Sequence, residues 1–227
     1  GELYRNGGMS SALDSEESIQ AFQKWTELFA NYKLPIIYDF PNRFRTGEMP
    51  IGIAEYTTYN HLSVSAPEIR GLWDIAPVPG TLAENGEIRR DVSSRGFGVV
   101  MFKKTEHKEA AWEFMKWWTS QEIQTEFGRE IEGLLGVSAR YPTANLKAFE
   151  QLPWSSADLK RFKEQWDWVR ANPEVPGGYF TGRHLDNAYR RVVLQGDDPR
   201  ETIDLYVRYV NDEIAIKRKE FGLPTEK

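Results

Sequence analysis

The spacing of hydrophobic and polar positions predicts many helices and a few short strands. Apolar residues recur at helical spacing near residues 16–29, 105–118, 120–127, 159–169, 185–195 and 199–214. Helix-start signals stand at Ser120 and at Asp198-Pro199, and Asp14 with Glu17 has the spacing of a capping box. Gly196 is a typical left-handed terminator.

Short apolar runs between these helices predict strands. Residues 51–55 and 96–102 each fit one strand, and the polar stretch 80–91 predicts a hairpin or loop. Residues 73–79 are predicted to be extended, at an edge or a crossing between lobes, because two prolines interrupt them and central strands tolerate proline poorly. Short strands among many helices place the chain in the α/β or α+β class.

Composition excludes several classes of function. The formal net charge of -5 argues against a nucleic acid partner, because phosphate binding needs a basic surface. The chain has no cysteine, which removes disulfides and thiolate chemistry. No apolar run reaches the roughly 20 residues of a membrane span. The common catalytic and nucleotide-binding motifs are missing and the three histidines are far apart in sequence, so we expect no cofactor and no metal site.

Aromatic residues make up 13% of the chain, and several lie among polar residues rather than in apolar stretches. A sugar presents an apolar face and a rim of hydroxyls, so its site needs flat rings beside polar side chains with fixed donors and acceptors. Strand ends and helix N-termini are the usual places for such sites. The predicted ligand-binding residues are Tyr56, Tyr59 and Asn60 after the first strand, Arg95 and Gly96 before the second, and Tyr179, Arg183, His184 and Asn187 at a helix entrance.

Each of these positions also has a purely structural interpretation. The alternatives are that Tyr56 and Tyr59 cover an edge of the core, that Arg95 pairs with Asp91, that Phe180 is a hydrophobic staple for the next helix, and that Arg183 pairs with Asp186.

Five motifs of this chain resemble those of a known family. They are Phe44-Arg45-Thr46-Gly47-Glu48, residues 73–79 (WDIAPVP), residues 109–114 (EAAWEF), residues 119–124 (TSQEIQ) and residues 196–203 (GDDPRETI). In this order they resemble the maltose-binding-protein-like extracellular solute-binding proteins of ABC importers. The resemblance implies an α/β fold of the periplasmic-binding-protein-like type II. It also implies a non-enzymatic solute-binding component, with an oligosaccharide as ligand and membrane permease subunits as partners. The location would be extracellular, with a lipoprotein anchor on the full-length form.

The same resemblance implies that the chain is the C-terminal portion of a two-lobe protein. Residues 1–74 and 137–227 would form the C-terminal lobe, and residues 75–136 would complete the N-terminal lobe. We therefore expect the chain alone to bind sugar weakly or not at all. We also expect either self-association or a rearranged packing that hides the apolar side chains left without a partner, which are Phe97, Val99, Met101, Trp112, Phe114 and Trp118.

Two other functions stay open at this point. A carbohydrate-active enzyme or sugar-binding module could use the same cleft, and a helical interaction module is the third alternative. Maltose specificity is not carried over, because maltose-binding members have an aromatic pair where this chain has Leu185-Asp186-Asn187.

Overall fold

The computed structural model describes residues 2–83, 85–94 and 96–225, and this part of the chain is rich in helix. The helices are α1 (Glu16–Ala30), α2 (Phe40–Arg45), α3 (Thr57–Ser65), α4 (Lys108–Thr119), α5 (Gln121–Leu135), α6 (Leu146–Phe149), α7 (Ser156–Trp166), α8 (Tyr179–Arg190) and α9 (Pro199–Glu220). The strands, each of two residues, are β1 (Tyr4–Arg5), β2 (Ser10–Ser11), β3 (Thr81–Leu82), β4 (Ile88–Arg89), β5 (Val92–Ser93) and β6 (Val169–Arg170).

The chain divides into two compact units. Unit 1 comprises Gly1–Tyr38 and Asn172–Lys227, and unit 2 comprises Asp39–Ala171. These boundaries differ from the lobe division at residues 74 and 136 that the resemblance implies. That division concerns a longer polypeptide and stays a prediction.

Unit 1 is built from α1, α8 and α9 around one apolar core. The buried core side chains are Leu13, Ile19, Phe22, Ala188, Tyr189, Val192, Ile203 and Val207. β1 and β2 form an antiparallel pair, and the Ser11 amide donates to the side-chain oxygen of Asn211 on α9 at 2.7 Å. A π-helical turn, Arg191–Gln195, continues α8 and ends at Gly196 in the left-handed conformation, as predicted.

One glycine brings the α8 approach into close contact with α9. Gly177 has φ of +82°, and a Cβ atom there would lie 2.6 Å from the Glu213 carbonyl oxygen. Any other residue would be strained by that backbone conformation and would clash with the helix. Gly177 therefore sets the close packing of residues 175–178 on α9.

Unit 2 contains α2 to α7 and is held together largely by aromatic side chains. Phe149 is fully buried. Measured between ring centroids, it lies 4.4 Å from Trp166, 4.8 Å from Trp154 and 6.0 Å from Phe162. β3 and β4 form an antiparallel hairpin, and β5 pairs with β6 in parallel. The ion pair between Glu132 and Arg140 is buried beside this aromatic cluster.

Local helix signals were confirmed at two starts and wrong at a third. The Ser120 side chain accepts the Ile123 amide at the start of α5, and Asp198 accepts the Glu201 amide at the start of α9. At α1, however, the capping side chain is Ser15 rather than Asp14, whose carboxylate forms an ion pair with Arg5.

Both predicted strands at 51–55 and 96–102 are wrong, since neither segment is paired with another strand in the described part of the chain. A strand needs backbone partners from elsewhere in the chain, and exposed residues such as Ile51 also lack a core to cover. Residues after 56 are helical, as α3, instead of lying at a strand end. The hairpin at 80–91 is confirmed by β3 and β4, and α8 begins at Tyr179, earlier than the predicted residue 185.

The apolar side chains expected to lack a partner are mostly exposed. Phe97, Val99, Met101, Trp112 and Phe114 are exposed, and Trp118 is half-buried. None of the helices described here combines the length and the apolar character needed to cross a membrane.

Candidate functional site

Unit 2 has a cleft of about 300 Å³ between α3, the segment that follows it and the start of α7. Its aromatic and charged lining comes from Tyr59, Arg70, Trp73, Asp74 and Asp158, with apolar surface from Leu62 and Ala66. The cleft therefore combines flat rings with charged and hydrogen-bonding groups in one concave surface.

Tyr59 is held in this cleft by a hydrogen bond from a distant helix. Its hydroxyl donates to Asp158 Oδ2 at 2.7 Å, across 99 positions of sequence. Its ring packs edge-on against Trp73, with the ring centroids 5.5 Å apart. Position and orientation of the phenol ring are thus both determined by its neighbours.

Asp158 is positioned by the start of α7. Ser155 is the N-cap, and its hydroxyl accepts the Asp158 amide at 3.0 Å. The same hydroxyl donates to Asp158 Oδ2 at 2.6 Å. The Ser155 hydroxyl therefore caps the helix and also holds the carboxylate that accepts the hydrogen bond of Tyr59.

The charges in the cleft are unevenly compensated. Arg161 pairs with Asp74 and lies 3.7 Å from Asp158 Oδ1. Burial, followed by the hydrogen bond to Asp158 and the charge of that carboxylate, raises the pKa of Tyr59 to about 12. Tyr59 therefore remains a neutral hydrogen-bonding phenol at all physiological pH values.

The chemistry available here is that of sugar recognition. Indole and phenol rings can cover the apolar C–H face of a pyranose, while carboxylate and guanidinium groups can bond its hydroxyls. Both carboxylates already have hydrogen-bond or ion-pair partners within the protein.

Tyr56, which immediately precedes α3, and Asn60 on α3 both face the interior of unit 2. The Tyr56 ring packs edge-on against Phe149 and Phe162, at 5.8 and 5.7 Å between centroids. Its hydroxyl and the Asn60 side-chain oxygen are buried without a hydrogen-bond partner in the described residues. Burial also raises the pKa of Tyr56 well above its usual value. Tyr56 thus occupies the core position that its structural interpretation predicted.

Tyr179 and Arg183 lie on the exposed side of α8 in unit 1, on the helix itself rather than in a loop before it. The Arg183 guanidinium carbon lies 5.6 Å from the Tyr179 ring centroid and 5.4 Å from that of Phe180. The alternative that Arg183 pairs with Asp186 is wrong, because Asp186 pairs with Arg190 at 2.7 Å. Arg183 is therefore stacked near two rings with its donors accessible.

His184 and Asn187, on the same helix, are half-buried. The His184 ring lies beside those of Tyr206 and Tyr209 on α9, at 6.0 and 5.7 Å between centroids. Both ring nitrogens are buried and have no hydrogen-bond partner in the described part of the protein. That His184 and Asn187 contact the ligand stays a prediction.

The remaining predicted pair precedes the second expected strand. Gly96 is exposed and outside regular secondary structure, while Arg95 lies outside the described residues. Asp91, the proposed partner of Arg95, forms ion pairs with Arg89 and Arg170.

The structure thus brings one predicted residue, Tyr59, into the cleft together with four that sequence reasoning missed, Arg70, Trp73, Asp74 and Asp158. The sequence indicates Trp73 and Asp74 only as part of an extended crossing. Asp158 carried a local signal, the spacing of a capping box after Ser155, but nothing in the sequence indicated its contact with Tyr59. Arg70 follows a short 3-10 turn and carried no signal.

Comparison with solved structures shows the fold. The sugar-binding protein MalE from the phytopathogen Xanthomonas citri superposes with a TM-score of 0.74 at 19% identity, covering 99% of this chain and 55% of that one. An ABC transporter solute binding protein from Thermotoga lettingae TMO, bound with alpha-D-tagatose, superposes with a TM-score of 0.71 at 19% identity. The match covers 94% of this chain and 53% of that one. The maltose-maltodextrin binding protein of Alicyclobacillus acidocaldarius superposes with a TM-score of 0.59 at 16% identity, covering 92% of this chain and 56% of that one.

These likenesses confirm the predicted fold class, α/β of the periplasmic-binding-protein-like type II. The chain spans little more than half the length of each of these structures. Among curated proteins, none matches the sequence.

The sequence profile described as "Bacterial extracellular solute-binding protein" matches residues 3–153, which is more than half of the chain. The matched region includes α3, Trp73 and most of unit 2. The chain belongs to the family of bacterial extracellular solute-binding proteins.

Proposed function

We propose that this chain is part of the solute-binding component of an ABC importer and that its solute is a carbohydrate. The observation that carries the proposal is the unit 2 cleft, where Tyr59 and Trp73 lie beside Asp158 in a geometry suited to a sugar ring. Family membership supports it, as do the sugars named for the structural neighbours. The partners would be a small carbohydrate and the membrane permease subunits, and the location extracellular with a lipid anchor on the full-length protein.

Binding without catalysis is the simpler use of this cleft. A glycosidase needs one carboxyl group free to donate a proton and a second free to act as nucleophile or base. Here Asp158 accepts from Tyr59 and Ser155, and Asp74 pairs with Arg161. Hydrolysis of any bound glycan by the full-length protein would contradict this part of the proposal.

The whole-protein architecture is proposed from the same relationship. Residues 1–74 and 137–227 would contribute the C-terminal lobe of a clamshell, and residues 75–136 would complete the other lobe. Closure of two lobes excludes water and doubles the contacts to a ligand, so the chain alone should bind weakly or not at all. Tight, stoichiometric binding by the isolated chain would refute this division.

Isothermal titration of the full-length natural protein against a panel of neutral and charged glycans tests the function. One sugar should bind with simple stoichiometry, and Trp73→Ala should weaken its binding at least tenfold through loss of a ring face. Tyr32→Ala, which removes an exposed aromatic side chain in unit 1, is the matched control and should leave affinity unchanged. Equal losses in both variants, or no binding by the parent protein, would refute the proposal.

A further inference from the structure

Arg70 differs from the other charged residues of the cleft because its charge has no partner. It lines the cleft and is exposed, and its guanidinium has neither an ion pair nor a hydrogen bond within residues 2–83, 85–94 and 96–225. The nearest acid in sequence, Glu68, is paired with Arg45 at 3.3 Å. The two carboxylates that line the cleft thus have partners of their own, whereas this cation has none among the described residues.

The two carboxylates of the cleft form their ion pairs with Arg161, and no ion pair joins either of them to Arg70 in the described residues. Asp74 is paired with Arg161, and Asp158 is bonded by the Tyr59 and Ser155 hydroxyls. A cationic ligand such as an amino sugar would have to compete with these partners. An anionic ligand group would meet a guanidinium group whose five donors make no hydrogen bond or ion pair in the part of the chain that the structure describes.

We propose that Arg70 is a specificity-determining residue and that the solute is a sugar carrying an anionic substituent, a carboxylate or a phosphate. This inference rests on the proposed function, since it names the ligand class of the same cleft. The sugar ring packs on Tyr59 and Trp73, and the anionic group bonds the planar guanidinium fork, which matches carboxylate and phosphate oxygens in pairs.

Matched monosaccharides test the inference on the full-length natural protein. The gluco and galacto series each supply a neutral parent, a uronate, a 6-phosphate and a 2-amino sugar on the same ring. We expect the uronate or the 6-phosphate to bind at least tenfold more tightly than its neutral parent in isothermal titration. The preference should shrink as salt is raised, because the cleft is open to solvent. Whether uronate or phosphate binds better identifies the anionic group.

Arg70→Gln is the decisive variant. It should abolish the preference for the anionic sugar, weakening the binding of the anionic sugar far more than that of the neutral parent, and it should leave the apo melting temperature unchanged. Arg208→Gln removes the same charge from an exposed arginine on α9 and should keep the preference.

Three results would overturn the inference while leaving the proposed function intact. They are equal affinity for neutral and anionic sugars, tightest binding of the amino sugar, or a preference that survives Arg70→Gln. If no sugar of either series and no glycan of the panel binds, the proposed function fails, and this inference fails with it.

Discussion

Removing the carboxylate of Glu132 should destabilise unit 2 more than removing one partner of an exposed ion pair. Glu132 and Arg140 have side chains only 10% and 6% exposed. Arg140 Nε donates to Glu132 Oε2 at 2.7 Å, and the same guanidinium reaches Oε1 through Nη2. Its remaining contacts are the Pro153 carbonyl, 3.1 Å from Nη2, and the Trp154 ring, 4.1 Å from Cζ.

In Glu132→Ala the guanidinium would stay buried, with the Pro153 carbonyl as its one remaining acceptor among the described residues. Breaking a buried pair by removing one partner costs about 3–5 kcal/mol, because the other charge remains desolvated and unpaired. Glu164→Ala is the matched control, because Glu164 forms an exposed pair with Lys160. Exposed pairs contribute about 0–1 kcal/mol, so this variant should be nearly neutral.

Urea denaturation followed by tryptophan fluorescence measures the difference, since Trp154 contacts the buried guanidinium. A double variant, Glu132→Leu with Arg140→Met, should recover most of the lost free energy of unfolding because it leaves no buried charge. If Glu132→Ala costs no more than Glu164→Ala, the pair is not buried in solution and the reasoning fails.

Three further predictions concern pH, ligand binding and association. The pKa of Tyr59 is raised from 10.0 to about 12, so its contribution to stability is complete below pH 10 and is lost as pH rises towards 12. The urea midpoint of the parent protein should therefore fall over this pH range, and it should fall less in Tyr59→Phe. Equal slopes of midpoint against pH in the two proteins would contradict the prediction. Arg183→Ala should weaken solute binding by the full-length protein by about 1–3 kcal/mol with little change in apo melting temperature, whereas Arg190→Ala, the control on the same helix, should not; equal affinity of Arg183→Ala and parent would end the assignment. The isolated chain should self-associate as its concentration rises, and sedimentation velocity measures this association. The double variant Trp112→Ser with Phe114→Ser, which removes two exposed rings, should associate less. A strictly monomeric parent chain would refute the prediction.

Much of unit 1 follows from local sequence. Asp198 with Pro199 determines where α9 begins, and Gly196 determines where the preceding helical segment ends. Apolar residues at helical spacing on α1, α8 and α9 meet in the observed core. These features are predictable because a helix makes its backbone hydrogen bonds within a few residues, so its caps and its buried face are local properties.

Strands and the cleft were decided by tertiary structure. Residues 51–55 have the composition of a strand, but a strand exists only where another segment supplies hydrogen-bond partners, and none does so among the described residues. The consequence reaches the site, because Tyr56, immediately before α3, faces the core while Tyr59 on α3 faces the cleft.

Family motifs in the sequence indicated a solute-binding protein, and aromatic residues among polar ones indicated the kind of ligand. The sequence could not indicate that Asp158 holds Tyr59 from 99 residues away, or that Arg161 rather than Arg70 pairs with Asp74. Such contacts depend on how separate helices pack, and packing is set by the sum of many weak interactions across the whole unit rather than by any local pattern.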